Sequence, residues 1–89
     1  MSANPAGVID YLLTFSEKTD EMMAEENKLQ LIVHIDATKP EIRDAVEELY
    51  DVRVEGVNTM TTMQGTKKAT VQLSEDDDAL DIAARAGGM

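Results

Sequence analysis

The chain has no cysteine and no tryptophan, and its 89 residues include only one phenylalanine, two tyrosines, two prolines and eight lysines or arginines. Without cysteine there is no disulfide scaffold, no thiolate metal site and no thiol nucleophile, and nothing calls for an oxidising compartment. No apolar run nears the roughly 20 residues of a membrane-spanning helix. The opening "MSANPAGVIDYLL" lacks the basic segment of a secretory signal, so a cytosolic protein with no membrane span is expected. The shortage of cations is the more informative lack. Eighteen Asp and Glu against eight Lys and Arg give a net charge of −10. Such a charge repels nucleic acid at low ionic strength. In molar salt, however, the Debye length falls to about 3 Å, and a carboxylate-covered surface then costs little in self-repulsion. Abundant Asp, Glu, Ala, Thr and Val with sparse Lys fits that second setting, in which net charge no longer excludes an RNA partner.

A chain of this length supports one domain, 1–89, with one modest core and a loose start over residues 1–6. "GVIDYLL", Gly7 to Leu13, reads as a short strand with poor alternation. Thr14 or Ser16 can cap a helix through "SEKTDEMMAEEN", and Asn27 can end it. "KLQLIVHI" alternates Leu29, Leu31, Val33 and Ile35 with Gln30, Ile32 and His34, the period-2 pattern of a strand. In "TKPEIRDAVEELY", Thr38 and Glu41 form a capping-box pattern with Pro40 in the first turn. Ile42, Ala45, Val46 and Leu49 follow at helical spacing as a core-facing stripe. "VRVEGVNTMTTM" alternates at Val52 and Val54, then loses step to Val57, which predicts a β-bulge at Gly56. "KKATVQL" pairs with it across Gly65, and Ser74, with Asp77 three residues on, is the expected cap of a last helix over "EDDDALDIAARA". The order β-α-β-α-β-β-α predicts an α+β fold, a small, mainly antiparallel four-stranded sheet with helices packed on it.

Few residues invite chemistry. His34 stands mid-strand with no Ser or second His near it in sequence, so an ordinary strand histidine is the simpler reading. The acids Glu75 to Asp78 lack the spaced ligands and glycine of a calcium loop, and a helix macrodipole accounts for them. No metal and no cofactor is expected. "RVEGVNT" is similar to the phosphate cradle of acylphosphatases but has Asn58, Thr59 and Met60 where that loop needs an arginine. What remains is a polar corner: Lys67 and Lys68 after the glycine turn, with Asn58 and Thr59 across the hairpin. Paired lysines protect an edge strand from aggregation. They also suit contacts to phosphate and sugar that do not read sequence.

Several stretches in collinear order then carry a resemblance: "SEKT", "NKL", "ATKPEIRDAVEELYDVRVEGVNT", "GTKKATVQL" and "AARAG". From about Val8 to Gly87 the chain resembles the archaeal-type large-subunit ribosomal proteins numbered twenty-three. The resemblance implies a non-catalytic protein that binds large-subunit ribosomal RNA at the rim of the polypeptide exit tunnel, beside neighbouring ribosomal proteins. It places Lys18, Thr38, Lys39, Asn58, Thr59, Lys67 and Lys68 on the RNA-facing side. It also matches Glu17 and Asp51 to an acidic patch where the signal recognition particle or other factors dock. Two departures stand out. "IDYLLTF" is neither basic nor proline-bearing, as the segment before "SEKT" usually is, and the hairpin loop, Met60 to Thr66, is too short to line a tunnel. Two other functions compete: a free acidic interaction module, in which Lys67 and Lys68 are dispensable, and a small hydrolase, for which no nucleophile-base pair is present.

Overall fold

The computed structural model describes residues 5–13, 21 and 23–87. A helical turn α1 (Pro5–Val8) leads into β1 (Ile9–Leu12), followed by β2 (Lys28–Val33), α2 (Lys39–Tyr50), β3 (Val54–Thr61), β4 (Lys67–Leu73) and α3 (Ala79–Gly87). Residues 21 and 23–25, between β1 and β2, are helical as well. The α+β order expected from the sequence is the one observed, with α1 added ahead of it. Proline suits that first turn, where its missing N–H has no partner to lose. The first strand accordingly begins at Ile9, two residues later than its pattern suggested, and the capping positions Thr14 and Ser16 lie outside the described residues.

The four strands form one antiparallel sheet in the order β1-β2-β4-β3. β1 and β3 are its edges. Each edge strand carries one irregularity of register, between Ile9 and Tyr11 in β1 and between Val54 and Gly56 in β3. The second is the bulge predicted at Gly56. An extra residue there keeps both Val54 and Val57 turned toward the helices, which strict alternation would not allow.

One face of the sheet is covered. Leu29, Leu31 and Val33 of β2, Ala69, Val71 and Leu73 of β4, and Val54 of β3 pack with Ile42, Ala45 and Val46 of α2 and Ala79 and Ile82 of α3 in a single cluster. Burying each of the larger side chains contributes about 1.5–3 kcal/mol relative to leaving it in water. Two residues of the predicted stripes fall outside that core. Ile35 is exposed because the strand ends at Val33 and the chain turns, and Leu49 is exposed because α2 outruns the sheet in its last turn.

α2 opens on the predicted capping box. The Glu41 N–H donates to Thr38 Oγ1 (3.3 Å), and the Thr38 N–H donates to Glu41 Oε1 (2.9 Å). The start of α3 is different. Ser74 caps only a local turn, accepting from the Asp76 N–H at 3.2 Å, and the helix starts five residues later at Ala79. Asp78 is the cap instead, its Oδ1 accepting from the Leu80 N–H at 3.0 Å and its carbonyl from the Ile82 N–H at 3.1 Å, and Asn27 braces that start. In a left-handed conformation (φ 56°), Asn27 accepts from the Ala79 N–H at 2.8 Å and donates Nδ2 to the carbonyls of Ser74 and Asp77. One residue from before β2 thus fastens the whole β4–α3 connection.

Candidate nucleic-acid interface

Strand register sorts the remaining side chains between two faces, since residues directly opposite one another in a sheet share a face. On the face away from the described helices three rows cross the sheet. The first is Tyr11, Ile32, Lys68 and Met60; the second Gln30, Thr70 and Asn58; the third Lys28, Gln72 and Gly56. No carboxylate stands in these rows, although the chain carries 18. Asp10 and Glu55 sit at the two irregularities of the edge strands, and Glu26 pairs with Lys28 at the end of the third row. A phosphate approaching the middle of this face therefore meets ammonium, amide and hydroxyl groups.

The polar corner drawn from the sequence divides between the faces. Adjacent strand residues point oppositely. Lys68 and Asn58 stand on the open face, whereas Lys67 and Thr59 stand on the helix side. Lys67 is half-buried there, and its Nζ donates to the Ala37 carbonyl at 2.9 Å. That bond ties the start of β4 to the loop that supplies Thr38, the cap of α2. Lys68 makes no ion pair among the described residues. Thr38 and Lys39 are exposed at the same end of the sheet as the two lysines, where β2 ends and β4 begins. The Thr38 hydroxyl and N–H are both engaged with Glu41, and these two hydrogen bonds, the backbone one foremost, hold the Glu41 carboxyl below its usual range.

Asp51 lies at the opposite end, as the left-handed C-cap of α2 (φ 57°). It borders two shallow grooves, one of about 440 Å³ with Leu49, Tyr50, Ile82 and Arg85, the other of about 300 Å³ with Val52, Arg53, Asp76 and Asp77. Burial pushes the Tyr50 phenol above its usual pKa. Glu25, Glu26, Asp51, Glu55 and Glu75 to Asp78 stand around this end, eight carboxylates against Lys28, Arg53 and Arg85. Lys28 is paired with Glu26 at 3.1 Å, and the Arg53 backbone N–H donates to Asp77 Oδ2. Lys18 and Glu17 lie outside the described residues.

Three open-face residues escaped the reading of the sequence: Tyr11, Lys28 and Met60. Tyr11 and Met60 are more than half exposed at the two edges of one row. The irregularity at β1 hides Tyr11 from a period-2 scan, whereas Lys28 was legible as the partner position of Gln72 once the register was known. His34 is exposed, and its Nδ1 accepts from the Asp36 N–H (3.1 Å), a local turn contact. No cluster of three metal-ligating side chains occurs among the described residues.

An open antiparallel sheet with cations, amides and an exposed aromatic, and acids kept to its rim, suits RNA backbone and unstacked bases. Comparison with known proteins gives the family. Residues 12–81 match the family described as Ribosomal protein L23. The chain is 56% identical over 82 residues to large ribosomal subunit protein uL23 of Halobacterium salinarum, which covers 92% of this chain and 96% of that one. It is 57% identical over 72 residues to the uL23 of Haloarcula marismortui (81% of this chain, 85% of that one), and 44% identical over 72 residues to the uL23 of Methanococcus aeolicus (81% and 84%). Matching a family profile along most of its length, with collinear relatives from halophilic archaea, the chain belongs to the ribosomal protein L23 family.

Proposed function

We propose that the protein is a structural constituent of the large ribosomal subunit, cytoplasmic because the ribosome is, that binds ribosomal RNA at the rim of the polypeptide exit tunnel. It performs no catalysis and uses no cofactor. The observation that carries this reading is the open sheet face: in a chain of charge −10, the three rows across it hold Lys28 and Lys68 and no carboxylate. Lys68, Asn58 and Thr70 face the RNA, Thr38 and Lys39 meet it at the neighbouring end, and Lys18 is a further contact to it. Lys67 acts through the loop it holds, and Thr59 from the helix side supports the same strand. The acidic end, with Asp51, faces away from RNA toward solvent and toward factors that dock beside the tunnel, Glu17 is the second docking residue, and neighbouring ribosomal proteins complete the surroundings.

Binding of this kind tolerates molar salt. Counterion release supplies little affinity when bulk salt is already high, so hydrogen bonds to sugar and phosphate, shape and packing bear most of it. The direct test is co-sedimentation of the protein with large subunits in molar potassium chloride. Wild type is expected to stay bound and Lys68→Glu to be lost, with Lys67→Glu affecting folding more than association. A second reading, a free acidic module that binds basic partners, draws on the eight carboxylates of the acidic end. It gains if wild type never sediments with subunits.

A further inference from the structure

The aromatic on the open face has a use that the cations do not explain. Tyr11 is 53% exposed on edge strand β1, and its neighbour in the row, Ile32, is only 7% exposed although it faces away from the helices and stands outside the core cluster. Lys68 follows Ile32 in the row, and Met60, 58% exposed, ends it. The row therefore has an aromatic plane at one edge, a dry aliphatic floor beside it, and a cation one strand further. With strands about 4.8 Å apart, Tyr11 and Lys68 stand about 10 Å from each other, within reach of one nucleotide and its phosphate across the floor of Ile32. Only two tyrosines exist in the chain, and the other, Tyr50, is half-buried on the helix side.

We propose that Tyr11 is a stacking platform for one unpaired ribosomal RNA base, whose phosphate turns toward Lys68 across Ile32. The inference deepens the RNA-binding reading and rests on it. A paired base is excluded because its faces are already stacked in the duplex, so the ligand is an unpaired loop or bulge nucleotide. A basic protein tail is the wrong chemistry for this row, which offers a lysine and no carboxylate; such a tail belongs at the acidic end. Stacking also suits molar salt, because base-aromatic contact does not depend on counterion release. The non-basic first strand would thus keep a place in the interface through its ring.

Tyrosine fluorescence tests the proposal directly. A Tyr50→Phe background leaves Tyr11 as the sole tyrosine in a chain without tryptophan. Protein-free large-subunit rRNA is expected to quench its emission on binding. Tyr11→Ala, and Tyr11→Leu as the variant that keeps apolar bulk on the strand, should weaken binding by roughly tenfold or more, and Tyr11→Phe should bind as wild type. The salt slope separates the ring from the charge: Tyr11→Leu should leave it unchanged, and Lys68→Gln should reduce it by about one. If rRNA binds with no quench and Tyr11→Leu has wild-type affinity, the stacking site is overturned and the RNA-binding reading stands. Loss of affinity in Tyr11→Phe equal to that in Tyr11→Ala would also overturn it, assigning the contact to the hydroxyl. If wild type binds no rRNA at all, the RNA-binding reading fails and the stacking site with it.

Discussion

The two ends of the sheet share a fold but not an electrostatic character. At the end where β2 runs out and β4 begins, Asp10, Asp36 and Glu41 are matched in number by Lys39, Lys67 and Lys68. At the other end eight carboxylates face three cations, a local excess of five negative charges. Net charge averages over these regions and so describes neither. For an RNA-binding protein in concentrated salt the arrangement is coherent. Acids gather at the Asp51 end, and the three rows on the sheet face away from the described helices hold none. The ends are also fastened differently. The acidic end is held by the Asn27 amide and by backbone N–H groups of Arg53 and Val54 donating to Asp77 and Glu47, the other by a lysine-to-carbonyl bond and a capping box.

The largest effect is expected from breaking the acidic end. Asn27→Ala removes the acceptor of the Ala79 N–H and the donor to two carbonyls, and puts alanine at positive φ. A loss of about 2–4 kcal/mol should follow, read from urea unfolding at fixed salt. Lys67→Met at the opposite end should cost about 1 kcal/mol, since the Ala37 carbonyl loses its partner while the lysine stem's packing is retained. The same variant should leave rRNA affinity within about twofold once folded, because no phosphate contact is lost; a filter-binding titration against wild type checks this.

Charge itself gives a smaller, salt-dependent signal. Replacing the exposed Glu75 and Asp76 with lysine should raise stability by about 0.5 kcal/mol in dilute salt and by almost nothing in molar salt, because screening already removes the repulsion. Thermal unfolding at two potassium chloride concentrations measures the difference. The smallest effect is that of pH on the capping box. Hydrogen bonds from Thr38 lower the Glu41 pKa in the folded protein, so Glu41's contribution is complete above the ordinary glutamate value and is lost as pH falls through the depressed one. Thr38→Ala should weaken that acid-side dependence without removing it, because the backbone N–H that lowers the pKa most is kept, while costing about 1 kcal/mol at neutral pH. Acid titrations of unfolding free energy for the two proteins show it.

How much of this was legible beforehand depended on whether the cause was local. The capping box of α2 and the bulge at Gly56 each depend on residues adjacent in sequence, and both were readable from spacing. The split between Lys67 and Lys68 was readable too, since strand parity alone sends neighbours to opposite faces; grouping them by charge obscured it. The start of α3 was readable only in part. Ser74 and Asp77 have the right spacing for a cap, but Asp78 is the residue that caps Leu80, and the brace from Asn27, 52 residues from Ala79 in sequence, had no local signal. Leu49 fits the helical stripe of α2, and only the length of the helix relative to the sheet leaves it outside. Tyr11 was hidden because a register irregularity cancels the alternation that would have marked its face. Family resemblance supplied the partner, and strand register then indicated which side of the sheet suits it.

The most direct test of the account is amine-reactive footprinting of this protein, free and bound in isolated large subunits, with each lysine read by mass spectrometry. Lys68 is predicted to react readily in the free protein and to be strongly protected in the subunit, with Lys67 slow in both states because its Nζ is already engaged with the Ala37 carbonyl. Equal reactivity of Lys68 in the two states would show that the open sheet face is not where RNA is held.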